Sequence, residues 1–176
     1  MTTDTLVQSG STALSQTERK IIESFSKYDD SYDVNFNIPQ IQRLRFTKDV
    51  FGADFNVLSS LIERSGPAAP KVQIWVDDGL RASHDEILQQ FCKLLESEDH
   101  IELVNDIQYV PGGEDSKRDP KLIDTILSVF NAANLDRRSY VLVIGGGAVL
   151  DAVGFAAATA HRGIRLIRIH TTTLAQ

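Results

Sequence analysis

Residues 141–151 read VLVIGGGAVLD, an apolar run that passes through three glycines into an apolar, Ala-rich segment. A short apolar run that ends in glycine is typical of a buried strand, and the composition of residues 148–160 favours a helix. Glycine leaves the backbone open to a ligand, and the N–H groups that begin a helix attract anions. The turn therefore predicts a phosphate or pyrophosphate site, with a purely structural tight turn as the alternative.

Strands and helices alternate on both sides of this turn. Apolar runs predict strands at 72–78, 101–104 and 163–169, and amphipathic or Pro-initiated segments predict helices at 83–95 and 120–134. Strands that alternate with helices of this length favour a parallel sheet with helices on both faces. The predicted fold class is therefore α/β, with a Rossmann-like sheet.

The first third of the chain has a different pattern. Residues 1–14 are rich in Ser, Thr and Gly, which predicts a flexible tail, and a capping-box spacing predicts a helix at 15–28. Alternating apolar residues from Val34 to Phe46 predict a β-hairpin, and a further helix is expected at 54–65. We expect a tail and helix at 1–33, followed by one domain at 34–176.

Composition excludes several functional classes. The 176 residues are 42% hydrophobic and carry a net charge of −6, which favours a soluble globular protein over a nucleic-acid binder. One cysteine and four scattered histidines provide no self-contained metal site. No apolar run approaches a membrane span of about 20 residues, and the N-terminus does not read as a signal peptide, so a cytoplasmic location is expected.

The C-terminal part of the chain departs from the acidic average. Residues 136–176 contain two acids and five arginines. The excess of positive charge favours a site for an anionic ligand, or a buried strand pair with charged ends. Arg162 follows the predicted Ala-rich helix, where it can stabilise the helix C-terminus or contact phosphate.

Polar residues follow several predicted strands. Asp77 ends the first strand, where an acid often meets a ribose hydroxyl. Glu114 and Lys117 lie in the loop PGGEDSK, which is either a solvated turn or a contact for ribose and phosphate. Asp151 is either a carboxylate for a ligand or a partner of the helix dipole. The threonines from Thr171 onward offer hydroxyls, although they also suit a strand.

Taken in order, three segments carry a family resemblance: PGGEDSK, IGGGAVLDAVGFAAATAHRGIRLIRI and TTTLAQ. They resemble the N-terminal domain of the 3-dehydroquinate synthase family, the NAD-dependent sugar-phosphate cyclases. The resemblance is close over about residues 104–176 and looser over 34–103. It implies an NAD-binding α/β domain, a homodimer, and a C-terminal domain beyond Gln176 that binds zinc or cobalt.

The resemblance also implies a reaction and a set of binding residues. The family oxidises a secondary alcohol of a seven-carbon sugar phosphate, eliminates phosphate, returns the hydride and closes the ring by aldol addition, as a carbon–oxygen lyase. The residues implied for NAD binding are Asp77, Glu114, Lys117, Gly146, Gly147, Ala148, Val149, Asp151, Thr171, Thr172 and Leu174. Arg162 is implied to reach substrate phosphate in the neighbouring subunit. No catalytic residue or metal ligand is implied in these residues, so the chain alone is expected to be inactive.

Some positions depart from the family pattern, and two alternatives remain. Gly112 stands where the family has Asp, and His170 where it commonly has Pro, which predicts a divergent branch. The first alternative is a metal-dependent NAD(P) polyol or alcohol dehydrogenase, which also uses a glycine turn. In such an enzyme we would expect Ser after the glycines, where this chain has Ala148. The third reading is a non-catalytic nucleotide-binding module.

Overall fold

The computed structural model describes residues 15–17, 19–20, 34–37, 41–113 and 119–172. The chain divides into two units, Met1–Leu44 and Arg45–Gln176. In the first unit, residues 16–17 and 19–20 are helical, and the rest of the helix predicted at 15–28 lies outside the described residues, as does the tail predicted before it.

The second unit alternates strands and helices, as expected for an α/β fold. In chain order its elements are α1 (Phe55–Ser59), β1 (Lys71–Asp77), α2 (Arg81–Glu96), β2 (Glu102–Leu103), β3 (Gln108–Val110), α3 (Pro120–Ala132), β4 (Tyr140–Gly145), α4 (Gly147–Thr159) and β5 (Arg165–His170). Short 3-10 turns precede α2 at Asp78–Leu80 and follow α4 at Ala160–Arg162. Helix α1 is shorter than the predicted 54–65, and β3 was not predicted.

All strand pairings in the sheet are parallel, and the order is β2-β1-β4-β5 with β3 also beside β1. Strands β2 and β3 pair with opposite ends of β1, so they are two pieces of one broken edge strand. Asn105, with φ of 60°, lies between them. The chain leaves β1 toward this edge and returns on the other side as β4, which places a topological switch point between β1 and β4.

Each face of the sheet has its own apolar core. On the face covered by α1 and α2, Phe91 and Leu95 of α2 pack against side chains of β1 and β4, among them Ile74 and Val76. The opposite side packs α3 and α4 against Trp75 and Val143, with the Trp75 and Phe130 rings edge to face at 5.5 Å. The two cores confirm the predicted parallel sheet with helices on both faces.

The predicted β-hairpin is wrong for the residues that the structure describes. Residues 34–37 and 41–47 have no strand structure, and Ile38 lies outside the described part. Phe36 is 74% exposed and Phe46 is 91% exposed. An isolated pair of strands is marginal in water unless a third element covers its apolar face, and these side chains have no such cover.

Within the described residues, no helix combines the length and the apolar character that a bilayer span requires.

Candidate functional site

The carboxyl ends of β1 and β4 lie side by side at the switch point. Asp77 ends β1, and its Oδ1 accepts a hydrogen bond from the Gly79 N–H at 3.0 Å. Gly145 ends β4 so close to it that a Cβ added at Gly145 would lie 3.1 Å from the Asp77 Cβ. Ligands of open α/β sheets bind in the crevice at this place, so the fold puts the Asp77 carboxylate where the sequence predicted it.

Helix α4 begins directly at the glycine turn. Gly146 is its N-cap, in extended conformation, and no side chain caps the helix. A Cβ added at Gly147 would meet nothing within 4 Å. Among the described residues, the backbone at Gly147 is therefore open on its Cβ side, and the first N–H groups of α4 carry the positive end of the helix dipole, which favours an anionic group.

Ala148 and Val149 follow the turn inside the core. Their side chains are 8% and 0% exposed, respectively. The branched Val149 packs against the carboxyl end of β4, since a Cβ at Gly145 would lie 3.2 Å from the Val149 Cβ. These two residues can therefore address a ligand only through their backbone.

The threonines after β5 lie on the other side of the turn. The Thr171 N–H donates to the Gly145 carbonyl at 3.1 Å, which continues the pairing of β4 with β5. A Cβ added at Gly146 would lie 3.1 Å from the Thr172 Cγ2. The structure thus brings Asp77, the glycine turn and Thr172 together along one edge of the sheet.

The loop after β3 reaches the same edge. A Cβ added at Gly112 would lie 2.6 Å from the Asp77 Oδ1. The sequence did not predict this contact, and the only trace of it was the unusual glycine at position 112. The predicted residues Glu114, Lys117 and Leu174 lie outside the described part of the chain.

Two predicted site residues lie farther along α4. Asp151 is exposed and is the fifth residue of the helix, beyond the first turn in which the dipole acts most strongly. Arg162 is exposed in the turn after the helix, with φ of 69°. Thirteen residues of helix span about 20 Å, so Arg162 lies far from the glycine turn of its own chain.

The residues present fit a dinucleotide better than a metal ion. A carboxylate, an uncapped helix N-terminus and an open glycine are the parts that hold ribose and pyrophosphate. Among residues 15–172 as described, no group of three or more His, Cys, Asp or Glu side chains is arranged to hold a metal.

A second depression lies at the amino ends of the strands, where Lys71 and Asp136 are among the lining residues. The Lys71 Nζ donates to the carbonyls of Ala133 and Asn134, and the Asp136 carboxylate accepts from the N–H groups of Arg138 and Ser139. The charged groups of Lys71 and Asp136 therefore already bond to the local backbone.

Comparison with known proteins agrees with this geometry. Residues 107–176 match the family described as 3-dehydroquinate synthase N-terminal. The 3-dehydroquinate synthase of Natranaerobius thermophilus is 35% identical over 117 residues, which are 66% of this chain and 30% of that protein. The chain therefore spans about a third of the length of the curated relatives that it matches.

Two solved structures share the fold. A 2-deoxy-scyllo-inosose synthase in complex with carbaglucose-6-phosphate, NAD+ and Co2+ superposes with a TM-score of 0.53 at 24% identity, over 69% of this chain and 30% of that one. A second structure of 2-deoxy-scyllo-inosose synthase gives a TM-score of 0.50 at 28% identity, over 68% of this chain and 32% of that one. These likenesses agree in fold, and the sequence matches show that the chain belongs to the 3-dehydroquinate synthase family, of which it carries the N-terminal part.

Proposed function

We propose that this chain is the NAD-binding half of a 3-dehydroquinate synthase-like enzyme that cyclises a seven-carbon sugar phosphate. One observation carries the proposal: α4 begins at the switch point, between Asp77 and Thr172, and among the described residues nothing lies within 4 Å of a Cβ placed on Gly147. The structural relative that was solved with NAD+ and a sugar phosphate analogue supports the choice of ligands.

Each residue of the site has a proposed task. The first N–H groups of α4, from Gly147 and Ala148, would donate to the pyrophosphate, since buried Ala148 and Val149 leave only backbone on the ligand side. The Asp77 carboxylate would accept hydrogen bonds from ribose hydroxyls. The resemblance assigns Glu114, Lys117, Asp151, Thr171, Thr172 and Leu174 to the same cofactor.

The chemistry itself belongs to the bound groups. NAD supplies the acceptor and donor of hydride for alcohol oxidation and later reduction. In the proposed enzyme, phosphate elimination lies between the oxidation and the reduction, aldol closure comes last, and zinc or cobalt would act as a Lewis acid. Since the described residues hold no set of metal ligands, we place the metal outside them and expect no turnover by this chain alone.

The substrate phosphate has a separate proposed partner. Arg162 is exposed, and it lies about 20 Å along α4 from the glycine turn. The family resemblance assigns Arg162 to the substrate phosphate in the neighbouring subunit, and its distance from the cofactor turn of its own chain is compatible with that assignment. We therefore include a homodimer, in which Arg162 serves the substrate of the neighbouring subunit, in the proposal.

NAD binding by the chain tests the proposal through Gly147→Ala. The added methyl has room in the protein alone and replaces glycine in a helix, so the thermal midpoint should stay level or rise slightly. If pyrophosphate lies on this turn, the same methyl occupies its place, and calorimetric titration should show NAD binding weakened about tenfold or more.

Gly66→Ala is the matched control, because its added Cβ meets only the flexible end of Arg138 at 3.1 Å. Its NAD affinity should equal that of the wild type. Equal affinity in Gly147→Ala, or no NAD binding by the wild-type chain at millimolar concentration, would contradict the proposed cofactor role.

A further inference from the structure

Three glycines from three loops surround the Asp77 side chain. Gly79 donates its N–H to the Asp77 Oδ1 at 3.0 Å. Gly145 approaches the Asp77 Cβ, and Gly112 approaches both carboxylate oxygens, with an ideal Cβ at 2.6 Å and 2.9 Å from them. Asp77 is thus held from the loop after β1, the loop after β3 and the turn after β4.

Gly112 is required for space and not for backbone conformation. Its neighbour Gly113 has φ of 92°, which favours glycine, but Gly112 is not among the described residues with positive φ. Any side chain at 112 would therefore adopt the backbone readily and collide with the carboxylate. The collision involves the same Oδ1 that accepts from the Gly79 N–H, so a shift of the carboxylate would disturb that hydrogen bond.

We propose that Gly112 is a positioning residue: its missing side chain lets the loop after β3 close on Asp77 and fixes the carboxylate for the cofactor ribose. The inference rests on the proposed function and adds a residue that binds nothing itself. A carboxylate introduced at position 112 would lie beside the carboxylate of Asp77. Two like charges so close are strongly unfavourable.

A double-mutant cycle between Gly112→Ala and Asp77→Ala tests the contact. In the wild-type background, the methyl at 112 should weaken NAD binding about tenfold, the effect of losing one hydrogen bond to a charged group. It should also lower the thermal midpoint by roughly 3 °C or more. In the Asp77→Ala background, the methyl meets no carboxylate, and both effects should disappear.

Gly112→Asp extends the test. It should weaken NAD binding and lower the thermal midpoint more than Gly112→Ala does, and Asp77→Ala should restore the midpoint. A merely structural role for Gly112 would instead give the same loss of stability in both backgrounds. Gly66→Ala, with a methyl added at the other end of the sheet, should change neither quantity.

The two arms separate this inference from the proposed function. If the wild-type chain does not bind NAD, the proposed function fails, and the stability arm alone decides the role of Gly112. If NAD binds and the effect of Gly112→Ala is unchanged in the Asp77→Ala background, the positioning role is overturned. Failure of the double variant to fold would overturn it as well, because the collision would then involve something other than Asp77.

Discussion

Cys92 shows how the surroundings of a thiol can suppress its reactivity. It lies half-buried on α2, where the apolar cluster of that face packs against it. Burial raises the pKa of the Cys92 thiol to about 11, and the nearby carboxylates of Glu96 and Asp106 add to the effect. The thiol form therefore dominates at any physiological pH.

Thiol labelling should report this state. At pH 8 the thiolate fraction is on the order of one in a thousand, about a hundred times lower than for a thiol of pKa 9, so a disulfide reagent should react slowly with the native chain. The rate should rise steeply once denaturant unfolds the protein. Labelling of the native chain as fast as that of the denatured chain would contradict the buried placement.

At the scale of elements, the loop into β4 depends on one carboxylate. The Asp136 Oδ1 accepts from the Arg138 N–H at 2.8 Å, from the Ser139 N–H at 3.0 Å and from the Ser139 hydroxyl at 2.9 Å. Burial raises the pKa of Asp136, but these hydrogen bonds and the charge of Arg138 outweigh it, so the pKa is lowered from 3.8. The turn thereby fixes the entry of the central strand.

Asp136→Asn should reveal that contribution as a function of pH. Because the pKa of Asp136 is lower in the folded state, its ionised carboxylate stabilises the fold at pH values above the unfolded-state pKa of 3.8. This contribution is lost as the pH falls through the folded-state pKa. We expect wild type to exceed the variant by about 1 kcal/mol in unfolding free energy at pH 7, and the gap to close as the pH falls below 3.8 and through the lowered pKa of Asp136. The exposed Asp124→Asn on α3 serves as control, and a gap that persists in acid would contradict the assignment.

The sequence predicted the elements that repeat a clear pattern. The turn at 141–151 was recognisable because a buried strand, a glycine turn and an Ala-rich helix follow within one short stretch. Strand β3 was missed because three residues, Gln108–Val110, are too few to show a period. The predicted hairpin was wrong because alternating apolar residues indicate only that one face of a strand would be apolar. They do not show that another element covers that face.

The contact between Gly112 and Asp77 marks the limit of sequence reasoning about the site. The contact joins two loops that only the parallel sheet brings together. It is possible because position 112 has no side chain. Asp77 and the glycine turn were recognisable singly, since each has the chemistry of a known kind of ligand contact. Their convergence with Thr172 required the strand order.

At the scale of the whole molecule, both apolar cores belong to the second unit. Among the described residues, every member of the two clusters lies at or after Val50. A chain that begins at Arg45 should therefore keep a cooperative thermal transition within a few degrees of the full chain, by circular dichroism. A broad, non-cooperative transition in the shortened chain would show that residues 1–44 complete a core.

The two borders of the sheet differ in a way that bears on self-association. The border formed by β2 and β3 is interrupted at Asn105, so it offers no long row of backbone groups to another molecule. The border at β5 is continuous over six residues, and Leu166, Ile167 and Ile169 are half-buried there. Arg165 and Arg168 separate these apolar side chains along the strand. Charged residues on an edge strand oppose edge-to-edge aggregation, and salt screens that protection. Among the described residues, exposed Arg168 is therefore the charge that best opposes pairing of β5 with another sheet, since Arg165 donates to the Glu63 carbonyl and the Tyr140 hydroxyl.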